Sequence, residues 1–393
     1  MNRIFILFIV LLFQLNLFAA CEREKSLDSI NTIKLKDGTE LRGEIINSTN
    51  TSITVILEKG KRIEVKNSHI IIEEAANFIE GYAPVKIGGK WGYLNKKGAV
   101  AILPRFEDAW NFSEGLAVIK IAEKYGCIDL NGNYVIEPQF QYMTRFSEGL
   151  SGVIKENHGY YIDRTGKIKF EADYDILGVF QEGMAAVDSG GKWGFIDSTA
   201  NLRIALLYEE VRDFKEGLAA VRFQGKWGYL NKKGDFFIKS QFEFASSFSE
   251  GIAFVTLDTL INRRYNSSIF IDKSGNMVFS KRFCGAGEVK DGWSPIAICF
   301  LNDEGEIDYL WSLWNVRREK MIELQFENLG LCNYGLAPAK WNNKWGVIDT
   351  LGNIVLEACF DSIGVFFEGL APVLFDSQWD YINKNANLMF GLD

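Results

Sequence analysis

GYAPVKIGGKWGYLNKKGAVAILPRFEDAWNFSE, residues 81–114, is the stretch on which the fold turns. Gly81–Lys86 reads as a short strand, Gly88-Gly89-Lys90 as a turn and Trp91–Asn95 as a second strand. Asn95–Gly98 turns again, Ala99–Leu103 is a third strand, and Pro104-Arg105-Phe106 leads into a polar-aromatic connector, Glu107–Glu114, with room for a short fourth strand. The two glycine turns cut the unit into runs too short for packed helices, so the unit is β and not a helical hairpin.

The unit recurs. A Phe-x-Glu-Gly motif ends at Gly81, Gly115, Gly149, Gly183, Gly217 and Gly251, each 34 residues after the one before, and later copies end at Gly292, Gly335 and Gly369, spaced 41, 43 and 34. Nine copies fill nearly everything beyond residue 75. Stacked units bury a core between neighbours and present a long surface. The expected fold class is all-β: about nine antiparallel units of three or four strands, as a propeller-like ring or an open β superhelix.

Each position in the unit has a physical reason. Asp129-Leu-Asn-Gly132, Asp163-Arg-Thr-Gly166 and Asp349-Thr-Leu-Gly352 share Asx-x-x-Gly. The Asx side chain accepts a backbone N–H two residues on, and glycine supplies positive φ. Trp91, Trp193, Trp227 and Trp345 precede glycine, while Tyr125 and His158 read as stand-ins for the indole. A Trp buries roughly 150–250 Å², and the glycine leaves room for the ring or for a neighbouring backbone. Phe112, Phe146, Phe180, Phe214 and Phe248 form a further aromatic series, read as packing between units. Pro84, Pro295, Pro338 and Pro372 sit three residues after the repeat glycine, which places that strand at a sheet edge or a strand start.

GYAPVKIGGKWGYLNKKG, GMAAVDSGGKWGFIDSTA, GLAAVRFQGKWGYLNKKG and GLAPAKWNNKWGVIDTLGN resemble the bacterial WG repeats, also called KWG repeats. The resemblance covers residues 75–393, and the two copies from 252 to 334 depart from it. It implies a repeat architecture that binds proteins or ligands, with no catalytic residue to carry over. Ahead of the repeats, residues 31–74 (LKDGTELRGEII…ITVILEKGKRIEV) hold about five short strands and resemble a small SH3-like or Sm-like β-barrel. Residues 1–20 read as a signal peptide. Leu17-Phe-Ala-Ala-Cys21 resembles the lipobox of bacterial lipoproteins, which implies lipid attachment at Cys21, with residues 21–30 as a tether.

Composition narrows the function. A net charge of -8 argues against nucleic acid as a partner. After Cys21, the cysteines Cys127, Cys284, Cys299, Cys332 and Cys359 are odd in number and lack CxxC spacing, so buried free thiols are expected. The only histidines are His69 and His158, and no metal spacing, nucleophile elbow or P-loop is present. No cofactor, metal or catalytic residue is expected. Glu80, Glu114, Glu148, Glu182, Glu216, Glu250 and Glu368 recur at equivalent points and read as turn-stabilising and solvent-facing. Trp311 and Trp314 lie in an insertion; they read either as a degenerate Trp-Gly strand in the core or as an exposed partner-binding anchor. The expectation is a lipid-anchored, non-enzymatic platform at the bacterial cell surface that engages a protein or glycan. A structural spacer and a carbohydrate-binding or carbohydrate-active protein are the alternatives.

Overall fold

The computed structural model describes residues 32–389, save 37, 50–51, 58–60, 258–267, 303–305, 323 and 386. The leader, the tether and Cys21 lie outside the described residues. Nine sheets follow the N-terminal module among these residues, one for each repeat glycine. In repeat 1, Glu74–Ala75 pairs with Tyr82–Ile87, that strand with Lys90–Asn95, and that strand with Val100–Phe106. The short strand in each connector therefore belongs to the following sheet: Asp108–Ala109 pairs with Leu116–Ile121 of repeat 2. The chain forms two compact units. One runs to Pro138 and includes the chain from Cys359, carrying the N-terminal module and repeats 1, 2 and 9; the other, Gln139–Ala358, carries repeats 3 to 8.

The N-terminal module is an antiparallel meander of Thr32–Lys34, Glu40–Ser48, Ser52–Leu57 and Arg62–Lys66. It is not the closed barrel expected from the sequence. Its first and fourth strands do not pair; its ends meet at an isolated bridge between Leu35 and Ile70, after a 3-10 turn at Asn67–His69. Ile33, Ile45, Ile53 and Val55 share one core with Phe78, Val85 and Tyr381 of the repeats.

The prolines are not at sheet edges. Pro84 pairs with Tyr93 in a strand flanked on both sides. The two-residue connector strand stops opposite Val85, so the missing N–H is never needed, and the Pro84 carbonyl still accepts from Ala76 N–H. Opposite Pro295, Pro338 and Pro372 stand Gly287, Gly330 and Gly364, whose added Cβ would meet the ring at 2.6, 3.2 and 2.7 Å.

The Trp-Gly pair works differently from the expectation. Trp227 is buried, but Trp91, Trp193, Trp345 and Trp379 are only half-buried. The fully buried ring lies two residues on, at Tyr93, Phe195, Tyr229 and Tyr381. The glycine makes room for backbone: a Cβ on Gly92, Gly126, Gly194 or Gly228 would lie 2.4–2.7 Å from main-chain atoms of the adjacent strand, where the register shifts. His158 does not fill a Trp position. Counting by register from Tyr161, which matches Tyr93, Gly159 takes the Trp place and His158 the place of Lys90.

The Asx turns form as expected. The Asp129 carboxylate accepts from the N–H groups of Asn131 and Asn133 at 2.9 and 2.8 Å, and Asp163, Asp197 and Asp349 repeat the pattern. The Thr165 hydroxyl leads in lowering the Asp163 carboxyl. For Asp197, partial burial acts upward but is outweighed by donors from Thr199 and Asn201, which bring it to about 2. Carboxyls lowered by folding stabilise fully above their unfolded pKa, near 3.9, and lose that effect as pH falls through the folded value. Urea midpoints are expected to decline as pH is taken from about 4 towards 2. A midpoint unchanged down to pH 2 would contradict these bonds.

Candidate functional site

How the units are joined is not visible within any single repeat of the sequence. Glu80, Glu148, Glu182, Glu216, Glu250 and Glu368 all have φ between 51 and 55°, and the glycine after each is also left-handed. Two positive φ values in a two-residue loop make a type I′ hairpin turn, which favours Asn or Gly over Glu. A left-handed L-residue is disfavoured by roughly 1–2 kcal/mol, whereas a hydrogen bond to a charged group contributes roughly 1.5–3 kcal/mol. The carboxylates collect that gain from the next repeat. Glu148 accepts from Gly183 N–H at 2.9 Å, Glu182 from Gly217 at 2.9 Å, Glu216 from Gly251 at 3.0 Å and Glu250 from Gly292 at 3.0 Å. Lys232, Lys273 and Arg317 clamp three of them. These acids are repeat-to-repeat staples and not free solvent-facing groups.

Three of these staples accompany a ring pair. Tyr161 meets Phe180 with centroids 4.9 Å apart, Phe195 meets Phe214 at 4.9 Å and Tyr229 meets Phe248 at 4.8 Å. The phenols donate onward, Tyr161 to Gly178 O and Tyr229 to Ser246 O, both at 2.8 Å. Burial raises these phenols, so they remain protonated donors. In the other unit, Tyr93 does the same to Phe112 and Trp110 O. There repeat 9 treats repeat 1 as repeats 3, 4 and 5 treat their successors. Tyr381 packs on Phe78 at 4.8 Å and donates to Ala76 O at 2.7 Å, while Glu368 accepts from Gly81 N–H at 3.0 Å.

With the framework fixed in this way, what varies is the connector. In Gln139–Ala358 the connectors of repeats 4 to 7 converge on a cleft of about 810 Å³, lined by Val179 and Gln181, by Val211–Lys215, by Phe244, Ser246 and Ser247, and by Ala286–Glu288 among others. That volume is within the range of ligand pockets, roughly 300–1,000 Å³. The residue before each buried Phe (or Val289) reads Arg145, Val179, Asp213, Ser247 and Glu288 in successive repeats. One framework position thus carries a different chemistry in each repeat, and the last four of these line the cleft.

The charges here are arranged. Arg212 Nε–H donates to Ala245 O at 2.9 Å, and its guanidinium lies 5.2 Å from the ring centroids of both Trp227 and Phe244. Lys215 is ion-paired with Glu288, and desolvation lowers its ammonium. Asp213 is open to water within the cleft yet surrounded by protein; desolvation raises its carboxyl, and Arg145 opposes that shift. Phe244 and Trp193 add partly exposed rings, and Gln181, Ser246 and Ser247 add polar groups. A second hollow of about 540 Å³ lies between repeats 7 and 8, beside Trp293, Arg318, Lys320 and Leu351.

The residues singled out from the sequence fall elsewhere. Trp311 and Trp314 are on the strand Ile307–Asn315, the second arm of a long hairpin with Trp293–Leu301. By register Trp311 takes the Trp place and Ser312 the glycine place of a degenerate unit. Trp314 is 3% exposed, packed against Phe279 and Phe283, and Trp311 packs on the core of repeat 8. Of the two readings, the core one fits: Trp314 is buried and Trp311 is half-buried against repeat 8, so neither stands out as an exposed anchor. The expectation of free thiols is corrected in part. Cys284 and Cys299 form a disulfide with Cα atoms 5.9 Å apart, whereas Cys127 and Cys332 are buried thiols, and burial raises Cys332 to about 12.

A family model described as "WG containing repeat" matches residues 69–91, 91–125, 125–157, 161–193, 193–227, 227–258 and 345–379. Its gap over 259–344 spans the degenerate repeat. A comparison with curated proteins finds no match. Among solved structures, the Neurospora crassa Pan2 WD40 domain is 8% identical, with 62% of this chain and 88% of that one covered and a TM-score of 0.33. The extracellular domain of the putative hybrid two component system BT3049 from B. thetaiotaomicron is 10% identical, with coverages of 88% and 59% and a TM-score of 0.25. KlHsv2 with loop 6CD replaced by a Gly-Ser linker is 10% identical, with coverages of 62% and 97% and a TM-score of 0.36.

Proposed function

The chain belongs to the family of WG-containing repeats, and from that premise we propose that it is a non-catalytic binding platform of the bacterial cell envelope that holds a protein or glycan partner in the connector cleft. The observation that carries the reading is the division of labour within the repeat. Framework residues are spent on joining neighbours, while the connector residues Val179, Asp213, Ser247 and Glu288 differ in chemistry and line one cleft. A purely structural spacer has no use for such variation at a single hollow.

The envelope assignment rests on the leader, on Cys21 as the lipid-attachment residue, and on the Cys284–Cys299 disulfide. Disulfides persist in oxidising compartments outside the cytosol. A photo-crosslinking residue at Val179, introduced into the full chain in intact cells, is expected to capture a partner. The same residue at Leu351, which is 81% exposed and lies outside the connector cleft, is expected to capture none. Cys21→Ala is expected to release the chain from the membrane fraction. Equal capture at both positions, or a substrate turned over by the purified protein, would contradict the proposal.

A further inference from the structure

Arg212 stands in a column of small residues. Two places before the buried Phe (or Val289), repeats 3 to 7 carry Thr144, Gly178, Arg212, Ser246 and Gly287. A long cation among glycines and hydroxyls is not needed for packing at that position, because four other repeats manage without one. The guanidinium is nevertheless fixed in place: Nε–H is anchored on Ala245 O and the plane lies by Trp227 and Phe244. An arginine held in this way keeps its terminal N–H fork ordered for a planar carboxylate. The other lining cation, Lys215, is already neutralised by Glu288, whereas no salt bridge joins Arg212 to a carboxylate among the described residues. Arg145 adds a second positive charge close to Asp213, whose carboxyl burial raises and Arg145 lowers.

The shape of the cleft decides between ligand classes. A protein partner needs an interface of roughly 800 Å² on each side, whereas this is a concave hollow of about 810 Å³ walled by four connectors. Phe244, 39% exposed, offers an apolar ring in a cleft that Ser247 and Gln181 also line with polar groups. A ring face and hydrogen-bonding groups in one cleft suit a pyranose, which has an apolar face and a hydroxylated rim. We propose that the cleft binds an acidic glycan, seating the carboxylate of a uronic-acid residue on the Arg212 guanidinium and its ring face on Phe244. The inference rests on the platform reading above and names the class of its ligand.

Calorimetric titration of the full chain with trigalacturonate, with the neutral galactotriose and with the tripeptide Glu-Glu-Glu tests it. Trigalacturonate is expected to bind at least about tenfold more tightly than either of the others, consistent with one charge-assisted bidentate contact. Arg212→Lys, which keeps the charge and loses the fork, is expected to weaken that binding at least about tenfold. Should Arg212→Lys also lower the melting temperature, Ser247→Glu decides, because it places a competing carboxylate in the cleft while leaving the Arg212 anchors intact; it is expected to abolish binding. Equal affinity for the neutral sugar would overturn carboxylate recognition, and tighter binding of the peptide would overturn the glycan. If none of the three binds while the Val179 cross-linker still captures a partner, the ligand class is wrong and the platform stands. If both fail, both readings fall.

Discussion

Phe78→Ala is expected to lower the unfolding free energy by about 3–5 kcal/mol, the range for emptying a fully buried aromatic site. The ring is 1% exposed and sits where three elements meet. It touches Tyr381 of repeat 9 at 4.8 Å, and it shares a core with Ile33, Val55 and Ile72 of the N-terminal module and with Val85 of repeat 1. None of these can collapse into the hole without abandoning a strand pairing, so the cavity term adds to the lost transfer energy. Tyr381→Phe provides the internal scale. It keeps the ring and deletes only the hydroxyl that donates to Ala76 O, and is expected to lose about 1 kcal/mol. Urea unfolding followed by tryptophan emission measures both. Comparable losses for the two variants would mean that ring packing does not dominate this junction.

Gly194→Ala is expected to destabilise by about 1–3 kcal/mol or more, although it adds a single methyl. The new Cβ would stand 2.4 Å from Ile204 O and 2.9 Å from Ala205 C, and these are main-chain atoms. A clash with a flexible side chain relaxes easily. A clash with the strand Leu202–Tyr208 relaxes only by separating the pairs Trp193↔Tyr208 and Phe195↔Ile204. The same unfolding measurement applies, and a stability within about 0.5 kcal/mol of the parent, the size of an ordinary surface change, would show that the strand yields more easily than its pairing implies. The prediction also explains the Trp-Gly dipeptide: its glycine is required by the backbone of the adjacent strand.

Much of this was legible in the chain because the repeat period, the Asx-x-x-Gly turns and the buried Phe of each Phe-x-Glu-Gly are local statements. Nine glycine-marked units gave nine sheets, and Phe78, Phe112, Phe146, Phe180, Phe214 and Phe248 are all at 0–1% exposure. What escaped was non-local. Nothing in one unit shows that Glu216 reaches Gly251, 35 residues on, so a stapling carboxylate read as a solvated one. Likewise Trp91 and Tyr93 alternate onto the same face of one strand, and only the neighbouring repeat determines that the second is the buried one. Trp311 and Trp314 looked like an insertion because their repeat lacks the dipeptide, yet the register restores them to the framework. The cleft escaped for a related reason. Its signal was variation at a fixed frame, Arg145, Val179, Asp213, Ser247 and Glu288, which stands out only after the constant positions have been explained.

A double-mutant cycle on Tyr381 and Phe78 tests most directly whether one repeated junction also joins the last repeat to the first. The two residues are over 300 positions apart in the chain, and their rings meet at 4.8 Å. Comparing Tyr381→Ala, Phe78→Ala and the double variant by urea unfolding, the account predicts a favourable coupling of about 0.5–1.5 kcal/mol, the value of an aromatic pair beyond its area. Additive losses, with coupling within about 0.3 kcal/mol of zero, would contradict it.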